Sequence, residues 1–199
     1  MTESTSTPVG KRRLPWPIVT ALLAVLVVAV VVLLAGRRRP TSSKDRPLIA
    51  VALVKEAQGP VEVLRGAERR KLASGDTAYV DDVITTEEAG ALSLTTYPGS
   101  VELSLGGETT LAFDGPAELR VDRGRVRAHV PDSVVHVFIT PHGRVLARET
   151  RLSLQVGAQG TEIEVSEGDA RAEGPRGLRQ VVPAGARMFL SAQPAWARD

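Results

Sequence analysis

Two patterns of hydrophobic and polar positions divide this chain. Residues 18–35 are apolar apart from Thr20 and carry no charge, and residues 14–17 extend the run. At about 1.5 Å per residue, such a helix reaches roughly 27 Å, close to the thickness of the hydrocarbon core of a bilayer. Basic residues bound the run on both sides, and Trp16 lies where an aromatic ring favours the headgroup layer. The pattern predicts a transmembrane signal-anchor helix over residues 14–36.

A cleaved signal peptide is an alternative for the same run, and three features count against it. The run is longer than a usual signal-peptide apolar region, lacks a small-residue cleavage pattern near its end, and stops at three consecutive arginines. A buried helix of a soluble domain is also disfavoured, because such a helix is rarely apolar on every face. We therefore expect the run to stay in the chain as an anchor.

From Leu48 onward the hydrophobic positions recur at every second residue, which is the spacing of a half-buried β-strand. Turns containing Gly or Pro interrupt this alternation, and two of those predicted are Arg123-Gly124 and Glu167-Gly168. The sequence thus predicts an all-β domain of many short antiparallel strands, twisted into a solenoid-like or sandwich-like arrangement and preceded by one transmembrane α-helix. Strands are predicted over residues 49–55, 61–65, 91–97, 101–105, 111–113, 117–121, 125–130, 134–140, 144–147, 152–156, 162–166, 169–173 and 187–190.

The composition divides the chain into five segments. Residues before the apolar run are rich in Ser and Thr without apolar periodicity, and those just after it mix charge with Pro and Ser. We expect a disordered N-terminal tail at 1–13, the transmembrane helix at 14–36, a juxtamembrane linker at 37–47, the β domain at 48–192 and a C-terminal tail at 193–199.

One stretch of the β region recurs 44 residues later. Residues 119–128 align with residues 163–172, so that Gly124 falls on Gly168 and the alternating apolar positions coincide. The match indicates a stacked strand–turn–strand unit. Two unrelated hairpins with a central glycine would give the same pattern, and the sequence leaves both interpretations open.

The charge of the chain is unevenly distributed. The whole chain carries a net charge of +2, but residues 1–47 hold eight basic and two acidic residues, which leaves 17 basic and 21 acidic residues in 48–199. The β domain is therefore mildly acidic, which argues against a nucleic-acid partner. The chain has no cysteine, which excludes disulfides, a thiol nucleophile and cysteine-based metal sites.

Imidazole and dinucleotide chemistry have weak candidates. His129, His136 and His142 each stand alone in a strand or turn, where a structural or solvated role is the commoner one, so we expect no metal site. Gly106-Gly107 lacks the helix that a dinucleotide fingerprint requires, and indicates a turn. We predict no catalytic, cofactor-binding or metal-binding residue and no cofactor.

Two pairs of adjacent acids, Asp81-Asp82 and Glu87-Glu88, also fail to predict a site. Neighbouring residues of a strand point to opposite faces, so the two carboxylates of a pair do not converge. We expect both pairs to be solvated loop acids.

An arginine row is the best candidate for binding. Arg120, Arg125 and Arg127 are predicted to lie on the polar face of their strands, where they suit an anionic glycan or an acidic partner. Pairing with neighbouring Glu118 or Asp122 is the simpler explanation, and the sequence leaves both open.

Short motifs follow one another in a fixed order through residues 59–188. They are LASGDT at 72–77, VITT at 83–86, LTTYPGSVELSLGGETTL at 94–111, LRVDRGRVRAHV at 119–130, VFITP at 137–141, IEVSEGDARA at 163–172 and VPAGA at 182–186. In order and spacing this set resembles the FecR-type domains of bacterial envelope-signalling regulators. The resemblance implies an all-β, solenoid-like periplasmic module used for protein contact.

Two departures from that family stand out. Where the family has a Gly-Thr pair before a strand, this chain has Glu149-Thr150, which predicts a looser conformation than a tight glycine turn. The regulators that name the family resemble a cytoplasmic helical anti-sigma segment followed by a membrane helix, whereas here a tail of 13 residues precedes the apolar run. Direct control of a sigma factor is therefore not expected.

These observations predict a non-enzymatic, single-pass inner-membrane protein of a Gram-negative envelope, whose periplasmic β domain contacts another envelope protein in signalling or scaffolding. The alternative is a component of a lipid-transfer bridge with a membrane-anchored β-jellyroll, which an open apolar groove would favour. A glycan-binding module ranks lower, because Tyr79, Tyr97 and Trp196 are few and scattered, and an enzyme ranks last.

Membrane orientation is contested within the sequence. Three basic residues flank the apolar run on its N-terminal side and five on its C-terminal side, and the positive-inside rule would then place the β domain in the cytoplasm. The family resemblance favours the periplasm. We predict a periplasmic domain, because the rule weakens when a long domain follows the helix.

Overall fold

A computed structural model describes residues 48–97 and 99–191, which belong to one compact unit. The predicted N-terminal tail, transmembrane helix, juxtamembrane linker and C-terminal tail lie outside the described residues. Within the described ranges, no helix has the length and apolarity needed to cross a membrane. The membrane span and the domain boundaries therefore stay predictions.

The described chain is built almost entirely from β-strands, which confirms the all-β prediction. A 3-10 helix at Pro175–Gly177 is the one helical element in this part of the chain. The strands of the described residues are β1 (Ala50–Gln58), β2 (Val61–Arg65), β3 (Glu68–Lys71), β4 (Thr77–Tyr79), β5 (Val83–Thr86), β6 (Ala91–Thr96), β7 (Glu102–Leu105), β8 (Thr110–Gly115), β9 (Glu118–Val130), β10 (His136–Thr140), β11 (Gly143–Val156), β12 (Gly160–Glu173), β13 (Arg179–Pro183) and β14 (Arg187–Ser191).

The strands form two layers that share three long strands. The first layer has the order β4-β1-β6-β7, then the second halves of β9 and β11, the first half of β12, and β14. The second layer has the order β3-β2-β5-β8, then the first half of β9, β10, the first half of β11, the second half of β12, and β13. Strands β9, β11 and β12 therefore pass from one layer into the other.

A single hydrophobic cluster fills the space between the layers. Leu103 and Leu154 from the first layer and Leu111, Phe113 and Phe138 from the second are each at most 1% exposed. In β7, for example, the exposed Glu102 and Ser104 alternate with the buried Leu103 and Leu105, as a half-buried sheet requires. The sandwich-like arrangement predicted from the alternation is thus present, with a core of aliphatic side chains.

Strands β9 and β12 bend at glycines where the sequence predicted turns. Gly124 and Gly168 take positive φ angles of 95° and 73°, yet each strand continues beyond its glycine. The predicted turns are wrong, because a positive-φ residue inside a ladder makes a bulge and need not reverse the chain. Buried residues are odd-numbered before Gly124 and even-numbered after it, so the bend exchanges which side chains face inward.

The 44-residue repeat corresponds to these two bent strands. Leu119 and Val121 before the first bend match Ile163 and Val165 before the second, and all four are fully buried. The repeated unit is a strand–bend–strand segment, and the second half of β11 lies between the second half of β9 and the first half of β12.

Buried threonines satisfy the backbone at both bends. The hydroxyl oxygen of Thr109 accepts a hydrogen bond from the amide of Arg125, at 3.0 Å. The hydroxyl of Thr150 donates to the carbonyl oxygen of Asp169, at 2.7 Å. A Cβ atom at Gly124 would collide with Thr109, so this bend requires glycine for space as well as for conformation.

Strand β11 bends at Glu149, whose φ angle of 49° lies in the left-handed region. The prediction of a looser conformation at this position is wrong, because Glu149 takes the backbone conformation that glycine usually supplies. Its carbonyl oxygen lies where a Cβ atom at Gly168 would be, so the bends of β11 and β12 are in direct contact.

One strand pair departs from the predicted antiparallel arrangement. Strand β10 pairs in parallel with the first half of β9, with Phe138 opposite Leu119. The reason is the bend in β9: the chain crosses into the first layer, ends there at Val130, and returns to the second layer to begin β10. This return makes one solenoid-like coil.

Candidate functional site

The bend in β9 separates the arginines that the sequence placed in one row. Arg120 precedes Gly124 and lies on the outer side of the second layer, opposite Ile139 of β10. Arg125 and Arg127 follow it and lie on the outer side of the first layer, opposite residues of β7 and β11. The predicted single row is therefore wrong, because the change of parity sends its members to opposite faces of the sandwich.

Arg120 has the simple structural role that the sequence left open. Its guanidinium forms ion pairs with Asp114 at 3.1 Å and Asp122 at 2.9 Å. Asp122 was one of the two partners that the sequence suggested, and Asp114 takes the place of the other, Glu118. The hydrogen bond with Asp114 is the main cause that raises the pKa of Arg120. Both partners of Arg120 therefore belong to the second layer.

Three other arginines of β9 form what we call the arginine strip: Arg123, Arg125 and Arg127, all exposed on their outer side. Arg123 Nε donates to Thr110 Oγ1 at 3.2 Å, and Arg125 Nε donates to Gln155 Oε1 at 2.7 Å. Both acceptors are neutral. Arg127 has no side-chain hydrogen bond or ion pair to any described residue.

Several carboxylates lie near the strip, and none forms an ion pair with it among the described residues. Glu164 on β12 accepts from Arg187 of β14 at 2.9 Å, and this hydrogen bond is the main cause that raises the pKa of Arg187. Glu162 lies 3.9 Å from the same guanidinium. Glu102 on β7 lies 3.7 Å from His129. Glu108 borders Arg123 and Arg125, and Glu102 and Glu164 border Arg127. Even so, no ion pair joins a described carboxylate to the strip.

Two shallow depressions follow the strip along the outer face of the first layer. One, of about 400 Å³, is lined by Arg123 and Arg125 with the Gly106-Gly107 turn. The other, of about 300 Å³, is lined by Arg127 and residues of β7, β11 and β12. Most of the residues that line them are charged or polar. Such surfaces suit contact with a charged partner more than enclosure of a small apolar ligand.

The three histidines occupy three different environments. His129 is exposed beside Glu102, and His142 is buried with its Nδ1 atom 2.9 Å from the hydroxyl of Thr161. His136 is fully buried next to Phe138, and neither of its ring nitrogens has a hydrogen-bond partner among the described residues. Burial lowers the pKa of His136 to about 4 and also lowers that of His142. The histidines do not converge on one site.

The position of Asp82 contradicts the prediction that both acids of the Asp81-Asp82 pair are solvated. Its side chain is fully buried, so it is not a solvated loop acid. Both of its carboxylate oxygens accept from Arg65, at 2.8 and 2.7 Å, and one also accepts from the amide of Tyr79. The Arg65 guanidinium in turn stacks 4.2 Å from the Tyr79 ring centre. This cluster joins the end of β2 to the β4–β5 connection and is structural.

The remaining predicted candidates stay apart. Glu87 and Glu88 are exposed, as predicted. Gly107 lies in a turn against the backbone of Glu88, which leaves no space for a side chain. Among residues 48–97 and 99–191, no group of three or more His, Asp or Glu side chains is arranged to hold a metal ion.

The strip was only partly visible in the sequence. Arg125 and Arg127 were candidates, but Arg123 was assigned to a turn. The signal for Arg123 is its position next to Gly124, between two segments of alternating hydrophobic residues. It would have been identified if Gly124 had been predicted as a bend within one strand.

Known proteins offer little for comparison. No family model and no curated protein matches the chain. Among solved structures, the chain is similar to the crystal structure of a candidate anti-sigma factor from Parabacteroides distasonis ATCC 8503, with a TM-score of 0.44 and 12% identity, over 56% of this chain and 60% of that one. The resemblance to FecR-type domains therefore stays a prediction.

Proposed function

We propose that this chain is a non-enzymatic, single-pass inner-membrane protein whose periplasmic β domain contacts another envelope protein in signalling or scaffolding. The observation that carries the contact role is the arginine strip, because three exposed arginines on the outer face of the sandwich form no ion pair with a described residue. The apolar run at 14–36 and the ordered FecR-like motifs support the anchor and the compartment.

The packing of the core favours this function over the lipid-transfer alternative. A lipid bridge needs an apolar groove open along the sheet, whereas the inward residues of the two described layers form one buried cluster. The depressions on the first layer are lined mainly by charged and polar groups.

Photo-crosslinking in living cells tests the contact. A photoreactive amino acid at Ser104 would lie beside Arg127 on the first layer, and the matched control would place it at Arg69, which is 70% exposed on β3 of the second layer. We expect a defined protein adduct from position 104 and none from position 69. Absence of an adduct at both positions would contradict the contact role.

A reporter fusion tests the compartment. Alkaline phosphatase joined after Asp199 should be active, because it folds only when exported. A stable but inactive fusion would contradict both the periplasmic location and the function proposed here.

A further inference from the structure

We propose that the arginine strip binds an extended acidic segment of the partner protein, with carboxylates at alternate residues. This proposal names the chemistry of the partner and rests on the contact function proposed above.

The arginines of the strip differ from most other arginines of the domain in forming no ion pair with a described residue. Most of the other described arginines pair with a carboxylate, and those pairs involve Arg65, Arg69, Arg70, Arg120, Arg144, Arg148, Arg151, Arg179 and Arg187. The three arginines of the strip do not, although residues 48–199 carry more acids than bases. Three arginines at alternate positions of one strand, none of them in an ion pair with a described residue, are therefore unusual in an acidic domain, and carboxylates are among the groups that a guanidinium binds most strongly.

The spacing of the strip matches an extended peptide. Side chains on one face of a strand recur at about 7 Å, since each residue advances about 3.4 Å. Arg125 and Arg127 stand in this relation on β9, and Arg123 precedes them at the bend. A peptide in the same extended conformation places alternate side chains at the same interval, so two of its carboxylates would meet Arg125 and Arg127, with Arg123 beyond them at the bend.

The neighbours of Arg127 add neutral hydrogen-bonding groups. Ser104 of β7 and Ser153 of β11 are its direct cross-strand neighbours. Hydroxyls both donate and accept, so they can bond the polar groups of a bound segment without adding charge. Arg127 thus stands between two groups that tolerate an anionic ligand.

Flanking acids limit the width of the ligand. Glu102 lies on the adjacent strand β7, and Glu164 lies on β12, two strands away on the other side. Strands are about 4.8 Å apart, so the positive surface is roughly one peptide chain wide. A broad anionic surface such as a membrane would also meet these two acidic residues, whereas a single extended chain along β9 would not.

A protein segment is also favoured over an anionic polysaccharide. Sugar-binding faces usually offer aromatic rings for stacking. The outward residues of β7 and of the second halves of β9 and β11 include no Phe, Tyr or Trp. The strip therefore offers charge and hydrogen bonds, which an acidic peptide uses fully.

Peptide binding to the full chain tests the proposal. The chain is placed in nanodiscs of neutral phosphatidylcholine, and fluorescence anisotropy follows a labelled peptide of alternating Glu and Thr. The same peptide with Gln in place of Glu is the neutral control. We expect the Glu peptide to bind, the Gln peptide to bind at least tenfold more weakly, and salt to weaken the binding of the Glu peptide.

Matched triple variants locate the binding. Replacing Arg123, Arg125 and Arg127 with glutamine should weaken binding of the Glu peptide about tenfold, which corresponds to about 1.4 kcal/mol divided among three exposed charge contacts. The control makes the same charge change at three exposed arginines outside the strip: Arg69→Gln, Arg171→Gln and Arg179→Gln. It should change binding less than twofold. Circular dichroism verifies that both variants fold, and lysine in place of the strip arginines should restore most of the affinity.

Three results would overturn the proposal. They are equal losses in the two triple variants, equal binding of the Glu and Gln peptides, and strip-dependent binding of polygalacturonate or phosphatidylglycerol vesicles without strip-dependent binding of the Glu peptide. A protein adduct at position 104 that persists in the strip variant would overturn the acidic-segment proposal alone and leave the contact function standing.

Discussion

Replacing His136 with leucine should stabilise the domain. The imidazole is 0% exposed, packs 5.7 Å from the Phe138 ring, and leaves both ring nitrogens without a partner among the described residues. A buried polar group without a hydrogen bond costs about 1–3 kcal/mol, and leucine fills a similar volume without polar atoms. The free energy of unfolding of His136→Leu should therefore rise by about 1–3 kcal/mol at pH 8.

The same residue makes stability depend on pH in a definite direction. Burial lowers the pKa of His136 from the ordinary 6.5 to about 4, so protons bind the unfolded chain more readily than the folded one. Stability from this group is complete above pH 6.5 and is lost as the pH falls toward 4. Between pH 8 and pH 5 the loss should be about 2 kcal/mol, from the linkage relation between the two pKa values.

Urea unfolding of the full chain in neutral detergent, followed by the β-sheet circular dichroism signal, measures both effects. In His136→Leu the loss between pH 8 and pH 5 should shrink by about 2 kcal/mol. The part that remains includes His142, whose pKa burial also lowers. His129→Gln, which removes an exposed histidine, is the control and should keep the full loss. The reasoning is refuted if His136→Leu keeps the pH dependence of the unaltered chain, or if it is less stable at pH 8.

Three further substitutions test the bends and the buried ion pair by the same unfolding measurement. Glu149→Gly should stabilise by about 1 kcal/mol, because it relieves a left-handed conformation that costs a non-glycine residue energy; a neutral or destabilising effect would contradict this. Gly168→Ala should destabilise by about 3 kcal/mol or more, since the new Cβ atom meets the carbonyl oxygen of Glu149, and a loss under 1 kcal/mol would show that the bend yields. Arg65→Met should cost about 3 kcal/mol because it leaves the buried Asp82 carboxylate without its cation, whereas Arg69→Met, at an exposed pair, should cost under 1 kcal/mol; equal losses would refute the distinction.

Alternation in the sequence predicted the class of the domain and most of its strands. The β2 bounds were predicted to the residue, because Val61 and Val63 alternate with polar neighbours between clear turns. Strand β3 was missed because its residues Glu68–Lys71 are all charged and carry no alternation. Strand β4 was missed because three residues are too few to show a period.

The candidate site depended on facts that the sequence does not contain. Alternation identified Arg125 and Arg127 as outward residues, but whether an arginine is paired depends on the register with other strands. Arg187 pairs with Glu164 across β12 and β14, which are separated by two further elements, so that acid is unavailable to the strip. The unpartnered state of His136 depends in the same way on neighbours that are distant in the sequence.

The three strands that pass between the layers also determine how the domain can come apart. A sandwich whose layers share no strand can open along its core with each ladder intact. Here β9, β11 and β12 each contribute hydrogen bonds to both layers, so opening the core must break ladders on both sides. The slowest-exchanging amides of these strands should consequently exchange together, with one free energy equal to that of complete unfolding. Tension applied through these strands would therefore meet resistance from both layers at once.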